Sequence, residues 1–162
     1  MKTAETDAFH AAFHAATGVA DPDYDVVMFG GGPPLADELL ALVLAGRKRA
    51  TAMLERDVTV KGEPAPRIGG HVVVVDGQAR PRAVFRTVEV RHGPLDSVDD
   101  AFAWDEGEGD RTRAGWLDAH RRHFAQQAAR EGFAMHDGIA VIFERFTLVW
   151  PPELADAHRS PG

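Results

Sequence analysis

The chain of 162 residues carries a formal net charge of −7 and has no cysteine, which excludes disulfides, thiol catalysis and zinc–thiolate sites. The charge is evenly spread, with 8 Lys/Arg and 11 Asp/Glu in residues 1–81 and 10 and 14 in residues 82–162, which disfavours tight binding along a long nucleic acid. No apolar run reaches the roughly 20 residues that span a bilayer, and the N-terminus lacks a signal-peptide core, so we expect one cytoplasmic domain without a membrane anchor.

The first part of the chain predicts two helices separated by a loop. Residues Thr3–Ala16 place apolar side chains at helical spacing, and Leu35–Ala45 does the same after two prolines. Between them, the apolar piece Val26–Phe29 is followed by Gly30–Pro34, a run of three glycines and two prolines. This run lacks the Gly-Lys-Ser/Thr ending of a phosphate-binding loop, so it predicts a turn.

A cluster of positive charge follows the second helix, in the sequence Gly46-Arg47-Lys48-Arg49-Ala50-Thr51. Basic side chains at the C-terminal end of a helix are stabilised by the helix dipole, which is one explanation. A second explanation uses the spacing: Lys48 and Thr51 would share one face of a helical turn, where a neutral Lys48 takes the hydroxyl proton of Thr51. Arg47 and Arg49 would favour the neutral lysine, because they disfavour another positive charge nearby.

The middle and the end of the chain supply the predicted strands. Residues Arg56–Gly70 are rich in charge, proline and glycine and predict a loop. Three β-branched or alternating runs predict strands, namely His71–Val75, Ala83–Val90 and Ile139–Trp150. A short helix, Val98–Trp104, and a long one, Asp110–Arg130 with Asp110 as N-cap, are predicted between the last two runs. The fold class is therefore α+β, with strands that curl into a small barrel and helices around it.

Four carboxylates fall within the six residues from Asp105 to Asp110, which read Asp-Glu-Gly-Glu-Gly-Asp. Such a segment is a solvated acidic loop, a site for a divalent cation, or a carboxylate presented to Lys48. The alternating acids and distant glutamate of a calcium-binding loop are absent, which disfavours a dedicated metal site. The two glycines let the backbone approach a ligand closely, which favours a loop that lines a pocket.

The long helix carries Trp116, His120 and His123 beside its buried face. Histidines three residues apart can share a metal, but no third ligand has a suitable spacing, so we expect no metal here. Trp116 and His120, four residues apart, either form a wall for an aromatic ligand or belong to a half-buried helix face.

Two stretches together resemble the ASCH domain family, a branch of the PUA-like superfamily: Gly46-x-Lys48-x-x-Thr51 after an amphipathic helix, and Ala101–Phe124 with its Glu-Gly-Glu-Gly-Asp loop. The resemblance is to a bacterial branch of stand-alone domains and covers roughly residues 35–150. It implies a small mixed or antiparallel β-barrel of the PUA-like type surrounded by helices. We accordingly divide a single domain, 1–162, into an N-terminal helix and loop extension (1–34), a core (35–150) and a C-terminal tail (151–162).

The resemblance also implies a site. Some small bacterial members of the family are amidohydrolases that remove an acyl group from the exocyclic nitrogen of N4-acylated cytidines with a Lys, a Thr and a Glu. Motif matching assigns these roles to Lys48, Thr51 and Glu108, with Glu106 as the alternative glutamate. We expect no metal, no cofactor and no obligate protein partner, and a nucleoside or nucleotide as the ligand. The further residues expected to contact this ligand are Arg47, Arg49, Glu106, Trp104 and Trp116.

The family is also linked to RNA, which gives a second hypothesis: an RNA-binding or ribonuclease-like module in which Arg47, Arg49 and Arg56 contact phosphates. A narrow, acid-rimmed pocket favours the enzyme, and an open groove lined by arginines favours RNA. Two protonation states of Lys48 also stay open. A neutral Lys48 acts as the base, whereas a charged Lys48 stabilises an oxyanion while Glu108 takes the proton.

Overall fold

A curled five-stranded sheet forms the centre of the computed structural model, which describes residues 1–156. Its strands are β1 (Asp25–Val27), β2 (Ala50–Leu54), β3 (His71–Val75), β4 (Pro81–Pro94) and β5 (Ala140–Trp150), in the spatial order β1-β3-β4-β5-β2. β1 pairs with β3 in parallel, and the other neighbouring strands are antiparallel. The sheet forms half of a barrel with helices around it, which confirms the predicted α+β class and the small mixed barrel.

Five α-helices lie within residues 1–156: α1 (Ala4–Thr17), α2 (Pro33–Leu44), α3 (Glu55–Thr59), α4 (Asp100–Glu106) and α5 (Arg113–Glu131). The hydroxyl of Thr112 accepts a hydrogen bond from the backbone N–H of Gly115 and so caps α5. The predicted cap at Asp110 is wrong, because Asp110 instead accepts hydrogen bonds from the backbone N–H and the hydroxyl of Thr112. Asp110 thus positions the residue that caps the helix.

Strand β2 is the main element that the sequence did not predict. It reads Ala-Thr-Ala-Met-Leu, a composition with as much helix as strand preference. Pairing overrides that preference, since all five of its residues oppose residues 141–145 of β5. The predicted helical turn carrying Lys48 and Thr51 is therefore wrong: Lys48 precedes the strand, and Thr51 lies within it.

The remaining boundaries shift modestly from the predicted ones. The run His71–Val75 is β3 as predicted, the run Ala83–Val90 lies inside the longer β4, and the predicted loop Arg56–Gly70 begins within α3. The division of the chain at residues 35 and 150 stays a prediction. Residues 157–162 of the predicted tail lie outside the described residues.

The two faces of the β2–β5 pair carry different surroundings. Ala50 and Phe143 belong to a buried cluster with Phe102 of α4, whose ring centre lies 5.1 Å from that of Phe143. Because strand side chains alternate, the opposed residues Thr51 and Glu144 face the other way, toward the inside of the curled sheet. The β2–β5 pair therefore places one pair of polar residues, Thr51 and Glu144, on a face that otherwise belongs to the protein interior.

Helix α2 covers the inner face of the sheet. Its residues Leu39, Leu40 and Val43 pack with Phe85 of β4 and Phe146 of β5, whose rings stack at 4.2 Å between centres. This cluster fixes the end of α2, from which the chain continues toward Lys48. No helix within residues 1–156 is long and apolar enough to cross a membrane.

Helix α1 packs on the opposite face of the sheet, where two histidines, His10 of α1 and His71 of β3, are buried. The ring of His10 stacks on Tyr24 at 4.5 Å, and the ring of His71 lies 5.1 Å from Phe13. His10 Nε2 and His71 Nδ1 are buried without a hydrogen-bond partner among the described residues. Burial lowers the pKa of both histidines, because an imidazolium placed there would lose its hydration.

We expect acid to destabilise the protein through these two histidines. Their pKa values in the folded state lie below the ordinary value of 6.5, so the unfolded chain binds more protons below that pH. The free energy of unfolding should then fall between about pH 7.5 and about pH 5, as measured by urea denaturation. A variant carrying His10→Phe and His71→Phe should lose less stability over this interval. An equal loss in variant and wild type would contradict the assignment.

Candidate active site

Lys48 lies on the connection between α2 and β2, and its side chain is only 1% exposed. Its Nζ donates hydrogen bonds to the carbonyl oxygen of Ala50 at 2.8 Å and to Glu108 Oε2 at 3.0 Å. The same atom lies 5.2 Å from the centre of the Phe29 ring. A buried ammonium needs such acceptors, because only hydrogen bonds and opposite charge replace its lost hydration. These two acceptors therefore stabilise the Lys48 side chain in its buried position.

The backbone places Lys48 by a tight exit from α2. Gly46 has a φ of 82°, a left-handed conformation that glycine adopts at little cost. The N–H groups of Arg47 and Lys48 then both donate to the carbonyl oxygen of Leu42. The next N–H, that of Arg49, donates to the carbonyl oxygen of Asp105 at 2.7 Å, which ties the connection to the end of α4.

The acidic loop is fixed against this connection by Gly107 and Arg47. Arg47 Nε donates to the carbonyl oxygen of Gly107 at 2.9 Å. Gly107 has a φ of 77°, and a Cβ at this position would lie 2.5 Å from the carbonyl oxygen of Arg47. Glycine therefore fits both the left-handed backbone and the close contact, and Glu106 and Glu108 are held on either side of it.

Glu106, the last residue of α4, is buried and turned toward α5. Its Oε2 accepts a hydrogen bond from Trp116 Nε1 at 2.7 Å, and its Oε1 lies 3.0 Å from His120 Nε2. The Trp116 ring also stacks on His120 at 3.8 Å between centres. One carboxylate thus orients two aromatic side chains of the long helix.

His120 carries a proton on both ring nitrogens. Its Nδ1 lies 2.8 Å from the carbonyl oxygen of Trp116, and its Nε2 faces Glu106. Both partners are acceptors, so only an imidazolium donates to both of them. Burial acts to lower the pKa of His120, but the hydrogen bond and the negative charge of Glu106 outweigh burial and raise it.

Glu106 and Glu108 are neighbours with opposite pKa shifts. Burial acts to raise the pKa of both carboxyl groups. At Glu106 the positive charges of Lys48 and His120 outweigh burial and hold the pKa well below its usual value. At Glu108, burial and the hydrogen bond with Glu106 raise the pKa to about 7. Glu106 is therefore the fixed charge, and Glu108 exchanges a proton near neutral pH.

One cavity of about 210 Å³ brings the three predicted catalytic residues together. Thr51 lies on its wall, and the Thr51 hydroxyl makes no hydrogen bond to another residue of the described chain. The polar wall is formed by Lys48, Thr51, Glu106, Glu108, His120 and His123, and the apolar wall includes Phe29, Leu35, Leu39, Ala52 and Ala119. Within residues 1–156, Lys48 is the one lysine or arginine of this wall.

The arginines predicted to contact a ligand are occupied by the protein itself. Arg49 donates to both carboxylate oxygens of Asp156, at 2.9 and 2.8 Å, and Arg47 binds carbonyl groups of the acidic loop. Arg56 of the RNA hypothesis pairs with Glu131 at 2.6 Å. These three guanidinium groups lie outside the wall of the cavity, and their contact with a ligand stays a prediction.

The two predicted tryptophans also lie outside this wall. Trp104 is 58% exposed, and the guanidinium carbon of Arg111 lies 3.7 Å from the centre of its ring. Trp116 is buried behind His120, so His120 presents the aromatic surface to the cavity. Contact of either tryptophan with a ligand stays a prediction.

Glu144 of β5 is a polar residue that the sequence analysis did not single out. It is buried, lies directly opposite Thr51, and lines a cavity next to the first one. The sequence contained a signal for Glu144, because Ile142, Glu144 and Phe146 lie on one face of the predicted strand by alternation. A carboxyl group between two apolar side chains on an inward face requires a function or a partner.

The described residues, 1–156, contain no group of three or more His, Cys, Asp or Glu side chains that could hold a metal ion.

Comparisons with known proteins identify the family and the fold of the chain. The family model described as the ASCH domain matches residues 25–150 of this chain. An ASCH domain from Lactobacillus crispatus JV V101 superposes with a TM-score of 0.83 at 25% identity, over 92% of this chain and 96% of that one. A protein from Enterococcus faecalis V583 superposes with a TM-score of 0.80 at 26% identity, over 98% of both chains. None of the curated proteins matches the chain.

The ion pair between Glu106 and His120 can be measured directly. NMR titration of the ring signals should give His120 a pKa above the ordinary value of 6.5 and His123 one below it, because burial lowers the pKa of His123. Glu106→Gln should lower the pKa of His120, since it removes the negative charge that holds the proton. As a control, Asp118→Asn removes an exposed carboxylate from the same helix and should leave His120 unchanged. An unaltered His120 in Glu106→Gln would show that the pair is misassigned.

Proposed function

The chain belongs to the ASCH domain family, and we propose that it is an amidohydrolase that removes acyl groups from N4-acylated, cytidine-like nucleosides. The observation that supports this most directly is the convergence of Lys48, Thr51 and Glu108 on one cavity, with Lys48 Nζ 3.0 Å from Glu108. A hydroxyl, a group that exchanges a proton and a fixed positive charge together supply what acyl transfer requires.

In the proposed reaction, Glu108 takes the proton of the Thr51 hydroxyl as Thr51 attacks the amide carbonyl. The C–N bond then breaks, the nitrogen leaves with the proton that Glu108 returns, and the acyl group remains on Thr51 as an ester. Water, deprotonated by Glu108, hydrolyses this ester and releases a carboxylic acid and free Thr51. The raised pKa of Glu108 suits both directions of this proton transfer near neutral pH.

Lys48 acts in this scheme as a charged donor and not as the base. An ammonium group has three N–H donors, and Ala50 and Glu108 take two of them. The third is free to stabilise the negative charge that develops on the carbonyl oxygen during attack. Glu106 supports this role, because its negative charge lies next to Lys48 and is itself fixed by His120.

The charges around the cavity favour a nucleoside over an RNA chain. Binding along RNA needs several free cations that follow successive phosphates. Arg47, Arg49 and Arg56 are paired with carbonyl or carboxylate groups of the protein. On the cavity wall within residues 1–156, Lys48 and His120 are each paired with a glutamate of the same wall, which leaves no net positive charge there for a phosphate.

The test is an assay of acid release from N4-acetylcytidine and related acyl nucleosides. Thr51→Ala should lower kcat by about 10³-fold or more, and Lys48→Met should lower it by about 10²-fold or more, as expected for loss of an oxyanion donor. Thr59→Ala, which removes an exposed hydroxyl on α3, is the matched control and should keep wild-type activity. If wild type releases no acid and instead binds RNA in a salt-sensitive way, the RNA hypothesis replaces this one.

The pH dependence provides a separate test. Glu108 must be ionised to accept the proton of Thr51, so kcat/KM should rise with pH through an apparent pKa near 7 and fall below it. Glu108→Gln should abolish this rising limb together with most of the activity. A flat profile between about pH 5 and about pH 8 would exclude Glu108 as the base.

A further inference from the structure

A second cavity adjoins the first at Thr51. It measures about 200 Å³ and shares Phe29, Gly30, Thr51 and Ala52 with the first. A third cavity of about 150 Å³ continues it past Thr51, Met53 and Glu144. We call these two together the second chamber, defined by the side chains of Val27, Met53, Pro66, Glu144 and, in its first part, Ile142.

Glu144 is the buried polar side chain of the second chamber, and the sheet register determines where it points. It lies directly opposite Thr51 in the antiparallel pair β2–β5. Opposed residues have their Cβ atoms roughly 5 Å apart on the same face. One small ligand in contact with the Thr51 hydroxyl is therefore within reach of the Glu144 carboxyl as well.

The Glu144 carboxyl is anchored at one oxygen and free at the other. Thr87 of β4 donates its hydroxyl hydrogen to Oε2 at 2.6 Å. Oε1 has no hydrogen-bond partner in residues 1–156. Burial raises the pKa of Glu144 and so favours its neutral form, which offers an O–H donor as well as an acceptor.

The charges of the second chamber select against an anionic ligand. Asp25, Glu63 and Glu144 contribute carboxyl groups to its wall, and among the described residues no Lys, Arg or His side chain does so. A phosphate placed here would meet repulsion without a compensating cation. A neutral heterocycle between Val27, Met53 and Ile142 meets apolar walls and one buried polar side chain, that of Glu144, which is the usual composition of a small-molecule site.

We propose that Glu144 determines specificity by pairing with the hydrogen-bonding edge of a neutral heterocycle in the second chamber, while the acyl carbonyl of the same ligand lies at Thr51. This inference rests on the proposed function and adds the residue that recognises the base of its substrate, an N-acylated aminopyrimidine or its nucleoside. In an N4-acylated cytosine, the ring nitrogen N3 accepts and the adjacent N4–H donates. A carboxyl group with one donor and one acceptor matches this edge.

The experiment compares two acetylated amines, N4-acetylcytosine and acetanilide, of which the second lacks the ring nitrogen. Glu144→Met removes the polar edge at similar volume and should lower the preference in kcat/KM for N4-acetylcytosine by about 10- to 100-fold. Glu144→Gln retains a donor and an acceptor and should keep most of the preference. Glu153→Met, which removes an exposed carboxylate outside the walls of these cavities, is the matched control and should change the preference little.

An unchanged preference in Glu144→Met would overturn the inference while leaving the amidohydrolase intact. If Glu144→Met does not fold, Thr87→Val, which removes the anchor of the carboxyl, should lower the same preference; no change there would equally overturn it. If wild type hydrolyses neither of these amides nor N4-acetylcytidine, the proposed function fails, and calorimetric titration with cytosine decides the inference alone. Binding that wild type and Glu144→Gln share and Glu144→Met lacks supports Glu144, and equal binding by all three contradicts it.

Discussion

The buried ammonium group of Lys48 is the constraint on which the site depends. Removing a cation from water costs several kcal/mol, and the cost is offset only by close acceptors. Ala50 supplies one from the same connection, but the second, Glu108, lies far along the chain. The acidic loop must therefore fold back onto the start of β2, and the contacts of Arg47 and Arg49 with this region serve that purpose.

From this ion pair a chain of ionisable side chains in contact runs into the protein. Lys48 faces Glu108, Glu108 shares a hydrogen bond with Glu106, and Glu106 binds the imidazolium of His120. Trp116 completes this chain of contacts by donating to Glu106 and stacking on His120. Each member stabilises the charge state of the next, so the two glutamates acquire different roles although both belong to one loop. The deeper carboxylate is a permanent counter-ion, and the outer one is available for proton transfer.

The sequence was sufficient for the class of fold, because apolar periodicity is a local signal, and the spacing of Gly46, Lys48 and Thr51 singled out Lys48 as a candidate. It was insufficient wherever pairing decides the conformation. Strand β2 takes its form from β5, almost a hundred residues away in the sequence, and not from its own preference. The same limit applies to Trp116. The sequence analysis considered it as part of the wall of a ligand pocket, whereas its position behind His120 follows from tertiary packing. Glu144 was visible as a carboxyl in an apolar strand, but its proximity to Thr51 follows only from the register.

The backbone conformation after α2 also explains why the motif Gly46-x-Lys48-x-x-Thr51 has its particular length. Gly46 ends the helix, Lys48 turns inward to the carbonyl of Ala50, and Thr51 occupies a strand position that faces the interior. Strand side chains alternate with a period of two, so one inserted or deleted residue between Lys48 and Thr51 would turn the hydroxyl to the opposite face, toward α4 and α5. The number of residues in this connection is therefore less free to vary than their identity. Relatives that keep the same geometry should accept substitutions here far more readily than length changes.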